Sequence, residues 1–88
     1  MNEHVPDNLR FIPNFNTKNL NKAAFLIAKG AVYLRAECDS NGIATIFLNN
    51  VTRHASKEFW NPEALVPIWG FLNSKRWLQD QIVNSRVN

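Results

Sequence analysis

The sequence predicts a single α+β domain: a small antiparallel sheet, made of an edge strand plus a hairpin, packed by three helices in the order β-α-β-β-α-α. Three observations carry this. Apolar residues recur at helical spacing after Thr17 and again after Pro67. Two strictly alternating runs flank Ser40-Asn41-Gly42 between them. Helices laid on one face of a small sheet are then the economical way to bury these stripes.

Residues 1–9 are polar and expected to form a flexible tail, leaving 10–88 as the domain. Phe11, Ile12 and Phe15 suggest a short strand, which Pro13 confines to an edge or a bulge because it has no N–H to donate. Thr17 has the chemistry of a helix N-cap, and Gly30 that of a left-handed stop. Between them Leu20, Ala23, Ala24, Ile27 and Ala28 follow the i, i+3, i+4, i+7, i+8 pattern of one buried stripe.

The hairpin's register can be argued. Val32, Leu34, Ala36 and Cys38 alternate with Tyr33, Arg35 and Glu37, and Ala44, Ile46 and Leu48 alternate with Thr45, Phe47 and Asn49. A three-residue loop with Gly42 in the left-handed position sets Cys38 against Ala44, Ala36 against Ile46 and Leu34 against Leu48. A two-residue loop would place Glu37 opposite Ile46, which the period of two makes costly. Val51, Ala55 and Phe59 then mark one face of a short helix ended by Asn61-Pro62. Pro67 fits the first turn of a last helix reaching about Asn84, with an apolar arc of Ile68, Phe71, Leu72, Leu78, Gln79 and Ile82.

Composition bounds the rest. Eighty-eight residues with ten aromatic rings suffice for one small core. The lone Cys38 forms no internal disulfide and no Cys-rich zinc site, and is expected to pack inertly on the inner hairpin face. With no signal-peptide pattern and no apolar run near the roughly 20 residues of a membrane span, a cytoplasmic protein is expected. Net charge is only +3, but between Asp7 and Glu37 there is no acidic residue, while Arg10, Lys18, Lys22, Lys29 and Arg35 all fall there. Such a segment favours polyanions or acidic protein surfaces.

The stretch Phe15-x-Thr17-x-x-Leu20-x-x-Ala23-Ala24-x-Leu26-x-x-x-Gly30 resembles the opening of a family of small bacterial and phage proteins of unknown function. Ile46-Phe47-Leu48, Phe59-Trp60-Asn61, Val66-Pro67 and Lys75 are similar to later elements of that family. The resemblance implies a capped helix, a hairpin and C-terminal helices, in a prokaryote or a mobile element. It implies no activity.

Residues left over after the core is filled carry the functional reading. Lys18, Lys22 and Lys29 fall within roughly 40° of one another at about 100° per residue, opposite the Leu20/Ile27 stripe. Phe25 and Leu26 flank them. Tyr33, Arg35, Phe47 and Thr45 share the hairpin's second face, where rings and an arginine either stack bases or lie under a helix. Lys75 projects from the apolar arc, where it can lay its stem on the core and lift its ammonium to water. Trp77 lies roughly opposite that arc beside Arg76, as an interface anchor or as a ring covered by the tail or by Trp60.

No active site is legible. Gly30, Gly42 and Gly70 each stand alone, so there is no phosphate loop, and His4 and His54 have no neighbours at metal spacing. No cofactor or metal is expected. The sequence points to a non-enzymatic basic binding module with two readings. The first is a nucleic-acid-binding accessory, with Lys18, Lys22, Lys29 and Arg35 on phosphates and Phe25 or Tyr33 on bases. The alternative is a protein-interaction module (a small subunit, a homodimer or an inhibitor of a host or defence complex) anchored by Trp77, Arg76 and Trp60, with the lysines steering it to an acidic partner. The charge segment tips the sequence reading toward nucleic acid.

Overall fold

The structure, a computed structural model, describes residues 10–61 and 66–87. The expected tail over residues 1–9, with His4, and the role of Pro62 in ending a helix lie outside the described residues. The elements are β1 (Asn16–Thr17), α1 (Leu20–Ala28), β2 (Val32–Cys38), β3 (Ala44–Asn49), α2 (Arg53–Glu58) and α3 (Ile68–Val87). Their order is the expected β-α-β-β-α-α, and the three strands form one antiparallel sheet in the order β1-β3-β2.

The first strand is shorter and later than the sequence suggests. Pro13 and Asn14, the latter at φ 54, turn the chain before it can extend. Residues 10–12 instead run beside the start of α2: Phe11 bridges Thr52, Ile12 N–H donates to the Val51 carbonyl at 2.7 Å, and Arg53 N–H donates to the Arg10 carbonyl at 3.1 Å. Only Asn16 and Thr17 join the sheet, opposite Phe47 and Ile46.

Pairing in the sheet also moves the helix cap. Asn19, not Thr17, is the N-cap of α1, and its side-chain oxygen accepts the Lys22 N–H at 3.0 Å. The Thr17 hydroxyl accepts the Asn19 N–H at 3.1 Å and so holds the cap in place. The helix ends as expected. Gly30 sits at φ 109, its N–H donates to the Ile27 carbonyl, and the Ala31 N–H reaches back to Leu26. These two bonds satisfy carbonyls that the helix leaves open.

The hairpin loop holds its expected register at the turn. Gly42 lies at φ 80, Asp39 N–H donates to the Ile43 carbonyl at 3.0 Å, and the Asp39 carboxylate accepts from Asn41 and Ile43 N–H. Cys38 pairs with Ala44 and Ala36 with Ile46. Beyond Arg35 the register slips at a bulge, so Tyr33, not Leu34, faces Leu48. One extra residue reverses the alternation of everything beyond it. Tyr33 therefore joins the inner face, while Leu34 is left exposed.

The core lies between the inner face of the sheet and the two longer helices. Ile46 and Leu48 of β3 meet Ala23, Ala24, Phe25 and Leu26 of α1, with Leu78 of α3 and Val51 closing the cluster. The α1 stripe is wider than its periodicity suggests. Phe25, expected at the surface beside the lysines, is 5% exposed, and Leu26 is fully buried, whereas Leu20 and Ile27 are only half-buried. The cause is α2, capped by Thr52, whose hydroxyl accepts the Ala55 N–H at 3.1 Å. It delivers Phe59 edge-on to Phe25, centroids 5.5 Å apart, and covers a face of α1 that no local pattern marks.

α3 begins just after Pro67, whose carbonyl takes the Phe71 N–H at 2.9 Å, and runs to Val87, beyond the expected end at Asn84. It packs on α1 and β2. Its packed line is the fully buried Leu78 with half-buried Phe71, Lys75 and Ile82, turned away from the expected arc. Ile68, Leu72 and Gln79, which spacing places on that arc, are exposed.

Candidate protein-binding surface

That rotation leaves a mixed stripe on α3 facing outward, apolar at its two ends and polar at its centre. At about 100° per residue, Ile68, Leu72, Arg76, Gln79 and Val83 fall within roughly 80° of arc, with Trp69 and Asp80 along one flank. Trp69 is 73% exposed, and Ile68, Leu72 and Val83 are also bare. A shallow groove of about 350 Å³ runs between Trp69, Leu72, Asn73, Lys75, Arg76 and Gln79. A second depression of about 300 Å³ continues it along Gln79 and Val83 to Ile82 and Leu20 of α1.

Trp77, expected to project freely opposite the buried arc, is 44% exposed and leans on Tyr33, ring edge to ring face, at 4.9 Å and 89°. Burial pushes the Tyr33 phenol up from 10.0, outweighing a backbone hydrogen bond at Ala36 that favours the phenolate. Arg76 stands on the outward stripe, and Lys75 is half-buried at its border. Among the described residues neither forms an ion pair. Trp60 is 67% exposed but belongs to another patch, edge-on to Phe59 beyond α2.

The basic residues divide between two faces, with Lys22 and Lys29 on the side of α1 that meets the end of α2 and Arg35 on the outer face of the sheet. Lys18 is exposed. Lys22 is held over the rings of Phe15 and Trp60, at 5.6 and 5.4 Å, and desolvation there lowers its pKa from 10.5. Lys29 pairs with Glu58 at 3.1 Å and lies over the covered Phe25 ring at 5.7 Å. Arg35 sits across the sheet on its outer face, bonded to Glu37 at 2.7 Å and stacked on Phe47 at 3.9 Å. Tyr33, after the bulge, points the other way, into the helices. Phe25, buried, has no face to offer a base. Of the residues expected to meet nucleic acid, Lys22, Lys29 and Arg35 thus have carboxylate or ring partners on different elements, and Phe25 and Tyr33 face inward.

Among the described residues no helix covers the outer sheet face. A groove of about 360 Å³ there is lined by Asn14, Asn16, Leu34, Arg35, Phe47 and Asn49, among others. Its one arginine is neutralised by Glu37, so it carries little net charge for a phosphate. Cys38 is a free, half-buried thiol, and His54 approaches Glu58 at 3.7 Å. Among the described residues no group of three His, Cys, Asp or Glu side chains is placed to hold a metal, and no helix is long and apolar enough to cross a membrane.

Sequence reasoning missed Trp69, Ile68, Leu72 and Val83 as a surface. The signal was present. Ile68, Trp69, Phe71, Leu72, Trp77, Leu78, Ile82 and Val83 are spread around about two-thirds of the helix at 100° per residue, more than one packed face can bury.

These features define a small α+β domain with two long helices on one face of a three-stranded sheet. No protein-family model, curated protein or solved structure matches the chain.

Proposed function

We propose that this chain is a non-enzymatic protein-interaction module that binds through the outward face of α3. The observation that carries the reading is the run Ile68, Trp69, Leu72 and Val83, apolar and exposed along one side of a helix whose other side is already packed. Exposed apolar groups rimmed by polar residues, as Ile68, Trp69 and Leu72 are by Asn73 and Arg76, mark binding surfaces on small domains. Covering them returns about 2.5 kcal/mol per 100 Å² at roughly 25 cal/mol per Å², before the costs of association. Tryptophan and arginine lining one groove, as Trp69 and Arg76 do here, are the residues that most often dominate such contacts.

The reading departs from the lean toward nucleic acid because the charges behind that lean are engaged. Lys29 and Arg35 hold carboxylates, Lys22 sits among rings, and Phe25 is in the core. The similarity of the Phe15–Gly30 stretch to small bacterial and phage proteins makes a prokaryotic or mobile-element setting part of the same proposal.

Affinity capture with the wild-type chain and with Leu72→Glu, each with and without nuclease, tests it. The captured protein should survive nuclease and be lost with Leu72→Glu. Capture that nuclease abolishes, or that Leu72→Glu leaves intact, contradicts the reading.

A further inference from the structure

We infer that the occupant of the outward face of α3 is a second copy of this chain, its α3 running antiparallel to the first. This rests on the protein-binding reading of that face and names its partner. Two features of the stripe point to it.

The first is charge. Arg76 and Asp80 stand one turn apart on the exposed side of α3, and among the described residues neither has an ion-pair partner. When two α3 helices are set antiparallel about a two-fold axis between Trp77 and Leu78, Arg76 of each copy falls opposite Gln79 of the other. Asp80 of the other copy then lies one residue further along. Each guanidinium meets an amide and a carboxylate, and the same two contacts recur on the other side of the axis, as a self-complementary interface requires. A parallel pairing would stack Arg76 on Arg76 at one level and place like charges together.

The second is apolar surface and its order. The same axis sets Leu72 against Val83 of the second copy on both sides of the polar centre, and Trp69 extends each apolar layer outward. A full aromatic side chain carries about 150–250 Å², so Trp69 with Ile68, Leu72 and Val83 presents on the order of 500 Å². Arg76, Gln79 and the stem of Lys75 add to this and bring each side toward the roughly 800 Å² of a standard interface. That is enough for a reversible dimer and small for an obligate one.

The test is sedimentation of the full chain, of Arg76→Asp, of Asp80→Arg, and of the two variants mixed in equal amounts. Concentrations of about 100 µM lie above the micromolar end of the range that interfaces of standard size span. The wild type should sediment at twice the 10.1 kDa chain mass. Each single variant, now carrying like charges across the axis, should dissociate at least about tenfold more readily. The mixture should regain a dimer. There the Arg76→Asp chain is acidic at both positions 76 and 80 and the Asp80→Arg chain is basic at both, so opposite charges meet on each side of the axis.

Recovery on mixing separates a contact between chains from an Arg76–Asp80 pair within one helix, which mixing cannot restore. A monomeric wild type, or a mixture that stays monomeric, overturns the inference. If Leu72→Glu still abolishes capture of a different protein in that case, the broader reading stands with another partner; if it does not, both fall.

Discussion

Tyr33 and Trp77 meet edge to face, centroids 4.9 Å apart and ring planes at 89°. This contact joins the bulged strand β2 to α3 and fixes which side of the long helix is free. With Trp77 leaning on the sheet at one edge of the packed side, Trp69 and Leu72 are left exposed.

Tyr33 is the chain's single tyrosine, so its ionisation can be read directly from tyrosinate absorbance. Burial raises its pKa, and the midpoint should lie above the ordinary 10.0. Trp77→Ala, which uncovers the phenol, should bring it back toward that value. Because the folded pKa is the higher one, the stability it contributes is complete below pH 10.0 and is lost as pH rises through the folded value. A native midpoint at or below 10.0 would mean that Tyr33 is not covered.

Leu26 and Leu72 should differ sharply in their response to truncation. Leu26 is fully buried in α1, and Leu26→Ala should cost about 2–5 kcal/mol. A domain of this size has only about 5 kcal/mol or a little more to lose, so the variant should be largely unfolded on warming. Leu72→Ala, on the outward stripe, should change the stability of the isolated chain by about 0.5 kcal/mol or less. Urea titration of dilute protein gives both values.

The cap of α1 discriminates between two neighbouring side chains. Asn19→Ala removes the acceptor for the Lys22 N–H and should destabilise by about 0.5–2 kcal/mol, whereas Asn19→Ser should retain most of it. A larger loss from Thr17→Ala than from Asn19→Ala, measured by thermal unfolding, would return the cap to Thr17.

Much of the fold is written in local chemistry. The Gly30 stop, the Asp39–Ile43 closure with Gly42 in its left-handed turn, and the pairing of Cys38 and Ala36 across the hairpin follow from residue type and spacing. What local pattern could not carry is decided by neighbours distant in sequence. Phe25 is buried because Phe59 arrives from α2 to cover it, and Leu34 is expelled by a bulge that no residue preference marks. The candidate surface suffered most, since the buried side of α3 is chosen by α1 and β2 and not by α3 itself. Of the anchors read from sequence, Arg76 stands on the outward stripe, while Trp77 and Trp60 lie elsewhere and Trp69 takes their place.

The most direct measurement is photo-crosslinking in cells from a benzoylphenylalanine placed at position 72, with the same probe at the exposed Lys57 of α2 as control. The proposed interaction surface predicts a discrete protein adduct from position 72, absent from position 57 and abolished when Arg76→Asp is added. No adduct from position 72, or adducts of equal yield from both positions, would contradict it.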